Sequence, residues 1–201
     1  HLLKHVQLWD VCCQKVLEVR GNNSLPLIKY LFCRDFTKVI PGRAYYAPIV
    51  NFEGGLLNDP VVFCINEDHF LISLSDADLF NWISAINNTK EFYANVNETD
   101  IFTIAIQGPK SEQTMLKVFG EEIKSLKFFN FKKFVFNNEV LIISKTGFSK
   151  QSGYEILFSN SANGIILWDL IMEKGEEFSI KVGCPNMIER VESSLLSYGN
   201  E

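Results

Sequence analysis

The stretch AYYAPIVNFEGGLLNDPVVFCINEDHFLISLSDADLFNWISAIN, residues 44–87, decides the fold of this chain. It predicts three strands, at residues 44–52, 56–65 and 70–74, because runs of β-branched and aromatic residues are separated there by turn residues. A helix is predicted at residues 77–87, where apolar side chains recur at helical spacing. Strands followed by a single helix favour an antiparallel sheet with helices packed against it.

The start of this helix is predicted at Ser75 and Asp76, because both residue types accept hydrogen bonds from the first free N–H groups of a helix. The same order of elements then repeats, with strands at residues 92–96 and 102–107 and a helix that begins beyond Pro109. Strand pairs interleaved with single helices indicate an α+β fold with antiparallel sheets and ferredoxin-like β/α units.

The two ends of the chain add further elements. Residues 8–20 predict one strand and residues 25–32 a short helix. Asn137 and Asn138 predict a two-residue hairpin turn, since asparagine tolerates positive φ. The remaining predicted elements are a strand at residues 154–158 and helices at residues 164–174 and 186–196. From this order we predict a ferredoxin-like subdomain at residues 45–122, inserted in a second subdomain formed by residues 1–44 and 123–201.

The composition is that of a globular protein: 47% of the 201 residues are hydrophobic and 21% are charged, which excludes disorder. A net charge of −5 argues against a general nucleic-acid binder, which would carry a basic stripe. No apolar run approaches the 18 to 20 residues or so that a membrane span requires, and no secretory signal is visible. We therefore expect a cytoplasmic protein. Because the chain opens on His1, we also expect it to be part of a longer protein.

Several classes of site are excluded by their missing motifs. The five cysteines form an odd set without CxxC spacing, so neither a disulfide framework nor a metal site is predicted, and buried structural thiols are expected. The Gly108-Pro109 pair lacks the downstream Gly-Lys-Ser/Thr of a phosphate loop, and no Ser or Cys lies in a nucleophile elbow.

Three polar segments remain as candidates for chemistry. Asp59 stands just before Pro60 at the edge of an apolar strand, Glu155 lies between apolar neighbours on a predicted strand, and Arg190 follows Glu189 on a predicted helix. Each has an ordinary alternative: an Asx turn, a solvent-facing strand residue and a solvated helix face, respectively.

Together these segments resemble the folate-binding region of the aminomethyltransferase (glycine-cleavage T-protein) family. The order and spacing match, and three further motifs match with them: Trp-Asp-Val at residues 9–11, the strand around Tyr46, and Ile-Gln-Gly-Pro-Lys at residues 106–110. The resemblance extends over essentially the whole chain. It implies the folate-binding fold of that family without its C-terminal β-barrel, as expected of a chain truncated at both ends.

The resemblance implies tetrahydrofolate as the cofactor. Glu155 corresponds to the carboxylate that accepts the two parallel donors of the pterin ring, and Arg190 to the cation for the anionic tail. Asp59 corresponds to the essential carboxylate near the reacting nitrogen and is the predicted catalytic residue. Tyr46 is expected to stack on the cofactor or to bond it. The full set of predicted cofactor-binding residues is Tyr46, Asp59, Ser75, Tyr154, Glu155 and Arg190.

Within the family, details favour the dimethylsulfoniopropionate demethylase branch. Glycine-cleavage enzymes typically carry Asp-Asp where this chain has Asn58-Asp59, an asparagine where it has Ser75, and Ser-His where it has Cys12-Cys13. The Asn-Asp-Pro turn and the ending ERVESSLLSYGN at residues 189–200 are more similar to the demethylases. This implies methyl transfer from a small-molecule sulfonium donor to folate, without nucleic-acid or membrane partners.

Other readings of the resemblance stay open. An aminomethyltransferase of the glycine cleavage system would act with a lipoyl carrier protein. A non-catalytic folate-binding relative would carry a Lys-Gly-Cys-Tyr-x-Gly-Gln signature, whereas Cys184 here is followed by Pro185. A third reading is a folate-binding domain fused to a flavin-dependent dehydrogenase. A homodimer is compatible with each of them.

Overall fold

The computed structural model describes residues 1–75 and 77–200. Its elements along the chain are β1 (Gln7–Asp10), β2 (Val16–Arg20), α1 (Ser24–Leu31), β3 (Arg43–Tyr46), β4 (Ile49–Val50), β5 (Leu56–Asn58), β6 (Val61–Asn66), β7 (His69–Ser73), α2 (Phe80–Thr89), β8 (Asn95–Glu98), β9 (Phe102–Gln107), α3 (Ser111–Phe119), β10 (Phe131–Phe136), β11 (Glu139–Ser144), β12 (Gly153–Phe158), α4 (Ser161–Gly175), β13 (Lys181–Gly183) and α5 (Met187–Glu192). This is the mixed α+β architecture that the sequence predicts.

The chain forms two compact units, one inserted in the other. The outer unit contains His1–Cys13 and Ile101–Leu195, and the inserted unit contains Gln14–Asp100 together with the residues from Leu196 onward. The inserted segment therefore begins and ends earlier than the predicted residues 45–122.

The outer unit is built on a six-stranded sheet in the order β10-β11-β12-β9-β1-β13. Its neighbouring strands are antiparallel except for the parallel pair β1 and β13. The buried core contains side chains of the strands together with Met115 of α3 and Leu167 and Ile171 of α4. Helices therefore cover the face of the sheet on which these side chains lie.

The inserted unit is built on a five-stranded antiparallel sheet in the order β3-β6-β7-β2-β8, with β4 and β5 forming a separate hairpin. Its core joins one face of the sheet to α1 and α2, through residues such as Leu27, Ile28 and Ile83. The strand β2 belongs to this sheet and α1 packs against it, which explains why the unit extends well upstream of residue 45.

The prediction of one strand at residues 8–20 is wrong. The segment contains two strands, β1 and β2, which pair in different sheets. The carboxylate of Asp10 accepts a hydrogen bond from the backbone N–H of Cys12 (2.9 Å), an Asx-type turn that ends β1. The chain therefore leaves the first sheet between β1 and β2.

Two other predicted strands are each divided by a proline. The segment at residues 44–52 becomes β3 and β4 around Pro48, and the segment at residues 56–65 becomes β5 and β6 around Pro60. Proline has no N–H to donate to a sheet, so the ladder is interrupted at these positions. Asp59 is thereby released from the ladder.

The start of α2 differs from the prediction. The helix begins at Phe80, whose N–H donates to the carboxylate of Asp78 (2.8 Å), and Ser75 is used elsewhere. The predicted cap at Asp76 lies outside the described residues. The predicted helix at residues 186–196 is also shorter, since α5 ends at Glu192 and Ser194 has a positive φ of 54°.

Other local predictions are confirmed. Asn137 and Asn138 both have positive φ (46° and 63°) and join β10 to β11. Helix α3 follows Pro109 and ends at Gly120, whose φ is 73°. Among the described residues, no helix is both long and apolar enough to cross a membrane.

Candidate functional site

Three strand ends of the inserted unit bring four polar side chains together. Tyr46 is the last residue of β3, Asn58 is the last residue of β5, Asp59 lies between β5 and β6, and Ser75 follows β7. The strands β3, β6 and β7 are neighbours, and Tyr46 pairs with Val61, which in turn pairs with Ser73. The ends of these strands therefore lie side by side at one end of the sheet. We call Tyr46, Asn58, Asp59 and Ser75 the Asp59 cluster.

The carboxylate of Asp59 is nearly buried, with 7% of the residue exposed. It accepts hydrogen bonds from the hydroxyl of Ser75 (2.8 Å) and from that of Tyr46 (3.3 Å). Burial raises the pKa of Asp59, and the two hydroxyls and the backbone N–H of Tyr198 partly offset that rise. The cluster thus holds a carboxyl that keeps a proton more readily than an exposed aspartate does.

Glu155 lies on the face of β12 opposite the core of the outer unit. Its sequence neighbours Tyr154 and Ile156 are completely buried in that core, whereas Glu155 is half-buried. Its cross-strand neighbours are Ser144 on β11 and Ala105 on β9. Both are small, so little side-chain volume stands beside the carboxylate on this face.

A short hydroxyl chain holds the carboxylate of Glu155. Thr146 donates a hydrogen bond to Oε2, and the hydroxyls of Thr146 and Ser144 lie 2.6 Å apart. Removal of the carboxylate from bulk water raises the pKa of Glu155, and the bond from Thr146 opposes that rise. Within residues 1–75 and 77–200, Oε1 has no side-chain or backbone donor, so one oxygen is available to another donor.

The loop at residues 145–152 is clamped by the buried amide of Gln107. Its Nε2 donates to the carbonyl of Thr146 (3.2 Å), and its Oε1 accepts from the hydroxyl of Ser149 (2.8 Å). A Cβ at Gly147 or Gly153 would lie 2.0 or 2.2 Å from Nε2 of this amide. A side chain at either position would therefore have to displace this amide, and the loop that carries Thr146 is held from within the sheet.

The helix α5 buries two of its three charged side chains, Glu189 and Arg190, and exposes its apolar side chains. Glu189 and Arg190 are 8% and 7% exposed, whereas Ile188 and Val191 are 72% and 65% exposed. The carboxylate of Glu189 accepts from the backbone N–H of Lys150 (3.3 Å) and so contacts the same loop. These charges do not form the solvated helix face that the pattern alone suggested.

The guanidinium of Arg190 is held by the segment that follows its helix. Its Nη1 donates to the carbonyl of Leu195 (2.8 Å). Its neighbour Glu189 binds the loop at residues 145–152, and Thr146 of the same loop binds Glu155. One loop of the outer unit therefore connects the helix of Arg190 to Glu155.

The six predicted site residues therefore have different surroundings. Tyr46, Asp59 and Ser75 are in contact in the inserted unit. Tyr154 is completely buried in the core of the outer unit, and its hydroxyl lies 3.3 Å from the carboxylate of Glu112. Burial and the nearby charge of Glu112 raise the pKa of Tyr154. We therefore expect Tyr154 to support β12 rather than to contact a ligand.

Four residues of these networks have no counterpart in the predicted site: Asn58, Gln107, Thr146 and Glu189. A signal for Gln107 exists in the sequence, since an amide at the end of an apolar strand requires buried partners. The glycines at 147 and 153 indicate a close approach of some other group to the backbone. Nothing local indicates that this group is Gln107, which is distant along the chain.

Cysteines and acidic side chains are the remaining residue types that could form a disulfide or a metal site. All five cysteines are free; Cys64 is buried as expected, whereas Cys13, Cys33 and Cys184 are exposed, which corrects the expectation for these three. Among the residues that the structure describes, no three His, Cys, Asp or Glu side chains are grouped as a metal would require.

The sequence matches one family model along its full length. The model describes the GCVT N-terminal domain and matches residues 1–201. A curated relative, dimethylsulfoniopropionate demethylase DmdA of Ruegeria pomeroyi, is 39% identical over 201 residues, which cover all of this chain and 55% of that protein. An aminomethyltransferase of Oceanobacillus iheyensis is 30% identical over 209 residues, covering 96% of this chain and 55% of that protein. The chain thus spans about half the length of the curated relatives it matches.

Solved structures show the same fold. The glycine cleavage system aminomethyltransferase T of Bartonella henselae superposes with a TM-score of 0.81 at 20% identity, covering 100% of this chain and 54% of that chain. A chain of the heterotetrameric sarcosine oxidase of Corynebacterium sp. U-96 gives a TM-score of 0.60 at 16% identity, covering 88% of this chain and 86% of that chain. At these identities the likeness concerns the fold.

Proposed function

Because this chain belongs to the GCVT N-terminal domain family, we propose that it forms the folate-binding part of a tetrahydrofolate-dependent one-carbon transferase. The relatives named above are a demethylase and aminomethyltransferases, which move one-carbon groups. Of these, the demethylase has the higher identity. We therefore propose a methyl group as the unit transferred and a sulfonium compound such as dimethylsulfoniopropionate as its donor.

The observation that carries this proposal is the state of the Glu155 carboxylate. It is partly withdrawn from water, its side chain receives one hydrogen bond, from Thr146, among the described residues, and small neighbours flank it. A pterin ring offers an amide N–H and an exocyclic amine in parallel, which one carboxylate can accept together. Such charge-assisted bonds are strong where water is excluded, and they would offset the desolvation of Glu155. The residues present therefore fit the cofactor.

Arg190 is proposed as the cation for the anionic tail of tetrahydrofolate. Its guanidinium is nearly buried and is fixed through Nη1 to the carbonyl of Leu195, so little conformational freedom is lost when a carboxylate binds. Tyr46 and Ser75 are proposed as cofactor contacts of the inserted unit, through the hydroxyls that they place at Asp59.

Asp59 is proposed as the catalytic carboxyl near N5 of the cofactor. Bound tetrahydrofolate would supply at N5 the nucleophile for the methyl carbon, the electron pair of the broken C–S bond would stay on sulfur, and Asp59 would lie where the N5 proton is released. The departing thioether is neutral and leaves readily, so the step depends on proximity and orientation. A fixed carboxylate whose pKa is raised accepts a proton more readily, which suits the place where the N5 proton would be released.

The test of the cofactor is a binding measurement on the Glu155→Ala variant. We expect calorimetry to show tetrahydrofolate binding to the unaltered protein and a loss of affinity of 100-fold or so in the variant, since removing a partner of charged hydrogen bonds costs about 1.5–3 kcal/mol each. Unchanged affinity would remove Glu155 from the pterin site.

The test of the transferred group uses the full-length protein. With dimethylsulfoniopropionate and tetrahydrofolate we expect 5-methyltetrahydrofolate as the product. If that product does not form and an aminomethyl group on a lipoyl carrier protein is consumed instead, aminomethyl transfer replaces methyl transfer. Folate binding without either reaction would favour a non-catalytic folate-binding protein.

Cytoplasmic localisation and a homodimer stay predictions.

A further inference from the structure

The side chain of Asn58 is completely buried and its orientation is fixed by the backbone. Its Nδ2 donates to the carbonyl of Ala77 (3.0 Å), and its Oδ1 accepts from the N–H of Ser75 (3.0 Å). A carbonyl cannot donate and a backbone N–H cannot accept, so the two ends of the amide cannot be exchanged. The oxygen of Asn58, and not its nitrogen, therefore faces Ser75.

The hydroxyl of Ser75 consequently faces two acceptors with a single proton. Its Oγ lies 3.0 Å from Oδ1 of Asn58 and 2.8 Å from Oδ1 of Asp59. Both contacts are full two-centre hydrogen bonds at once only if Asp59 is protonated on Oδ1 and donates to Oγ, which in turn donates to Asn58. When Asp59 is ionised, the hydroxyl proton must turn to one of the two oxygens or be divided between them.

We infer that Asn58 is a positioning residue for Asp59, and that it acts through the hydroxyl of Ser75, whose single proton the two residues share. Asn58 competes with the Asp59 carboxylate for this donor and so favours the protonated carboxyl. The inference rests on the proposed function in one respect, namely that Asp59 is the carboxyl near the reacting nitrogen. It assigns to Asn58 the control of the proton at that position.

The other groups at Asp59 are neutral donors. Tyr46 reaches Oδ2 from β3, and the backbone N–H groups of Tyr198 and of Asp59 itself also lie at the carboxyl. No ion pair to Asp59 is found within the described residues. Its proton affinity therefore depends on burial and on the sharing of these donors, which makes the hydroxyl of Ser75 a sensitive point.

The experiment follows the carboxyl carbon of Asp59 by NMR during a pH titration of the ligand-free protein, with the signal assigned through Asp59→Asn. In Asn58→Asp two carboxylates share one hydroxyl proton, and we expect the titration midpoint of Asp59 to rise by about one pH unit or more. In Ser75→Ala the midpoint also rises, because a donor to the carboxylate is lost. In the double variant with Ser75→Ala, Asn58→Asp should raise the midpoint of Asp59 by less than it does in the single variant. Without the Ser75 hydroxyl, only the direct repulsion between the two carboxylates remains.

A matched control is available in the same unit. Asn87 is also a buried amide, and it bonds both backbone groups of Ala94 at 2.8 and 2.9 Å. Asn87→Asp should therefore destabilise the unit to a similar extent while leaving the titration of Asp59 unchanged. If Asn58→Asp shifts the midpoint no more than Asn87→Asp does, or if its shift is the same with and without Ser75, the inference is overturned.

Two further measurements keep the outcomes separate. Should Asn58→Asp fail to fold, the Ser75→Ala variant decides alone, and an unchanged midpoint of Asp59 in it overturns the inference. Calorimetry with tetrahydrofolate on the unaltered protein tests the proposed function independently. If Asn58→Asp shifts the midpoint of Asp59 through Ser75 but the protein does not bind folate, the role of Asn58 is supported and the cofactor is refuted. If the protein binds folate but the midpoint does not depend on Asn58 and Ser75 in this way, the cofactor is supported and the role of Asn58 is refuted.

Discussion

The side-chain amide of Gln107 occupies the space that a Cβ at Gly153 would need, since Nε2 would lie 2.2 Å from it. Gly153→Ala is therefore expected to lower the free energy of unfolding by about 1–3 kcal/mol, the usual cost of overpacking. Denaturant unfolding measures this cost. In a Gln107→Ala background the same substitution should cost much less, and an equal cost in both backgrounds would contradict the clash.

The Gly153 substitution also has a functional readout. Gly153 opens β12, two residues before Glu155. A displaced strand start should move the carboxylate and weaken tetrahydrofolate binding even where the protein stays folded, as calorimetry at a temperature well below the unfolding midpoint would reveal.

A second prediction concerns Glu155 and pH. Its pKa is raised by burial, so the ionised form is disfavoured by the folded protein. The stability that the proton confers is complete below the ordinary glutamate value of 4.5 and is lost as the pH rises through the raised value. Glu155→Gln should therefore be more stable than the unaltered protein at neutral pH, by about 1.4 kcal/mol for each tenfold difference in proton affinity between the folded and unfolded chains.

Unfolding of both proteins at several pH values checks this prediction. The two stability curves should converge in acid, where Glu155 is protonated, and diverge above it. The same variant should bind tetrahydrofolate more weakly, because an amide offers only one acceptor oxygen and no charge. If the variant is instead less stable at neutral pH, hydrogen bonds within the folded protein outweigh the desolvation of the ionised carboxylate.

A third prediction concerns Arg190. If it binds the anionic tail of the cofactor, Arg190→Lys should weaken tetrahydrofolate binding about tenfold, because an ammonium cannot form the paired bonds of a guanidinium. Binding of a tetrahydropterin that lacks the glutamate tail should be the same in both proteins. Lys174→Ala, which removes an exposed cation of the same unit, serves as the control.

A fourth prediction tests the hairpin of β10 and β11 and is independent of function. Asn138 has φ of 63°, a conformation that costs most L-residues about 1 kcal/mol or more. Asn138→Ala should lower the free energy of unfolding by about that amount, whereas Asn138→Gly should be neutral or stabilising. Thermal unfolding of the two variants distinguishes them, and equal effects would argue against the left-handed turn.

Much of the local structure is predictable because its causes are local. The hairpin turn at Asn137 and Asn138, the end of α3 at Gly120 and the strand β9 all follow from backbone preferences of neighbouring residues. The division of strands at Pro48 and Pro60 has an equally local cause, because proline has no N–H to donate to a sheet. These two strand breaks were therefore also predictable from the sequence.

What could not be predicted depends on contacts between distant residues. Ser75 is as good a helix cap as any serine, and only the presence of Asn58 and Asp59 at the same sheet edge diverts it. The burial of Glu189 likewise depends on the loop at residues 145–152, which lies far from α5 in the sequence. The sequence thus indicates which residues can carry chemistry, whereas their hydrogen-bond partners are found only in the structure.

The position of β1 between β9 and β13 has a consequence for how the chain folds during synthesis. This first strand pairs with β9 and β13, which are made much later, at Phe102–Gln107 and Lys181–Gly183. All five strands of the other sheet lie within Gln14–Asp100 and can pair as soon as that segment has left the ribosome. The nascent chain must therefore keep β1 unpaired with β9 and β13 while the inserted unit folds, and the pairing of β1 with β13 requires the closure of a long loop, which is slow compared with local pairing.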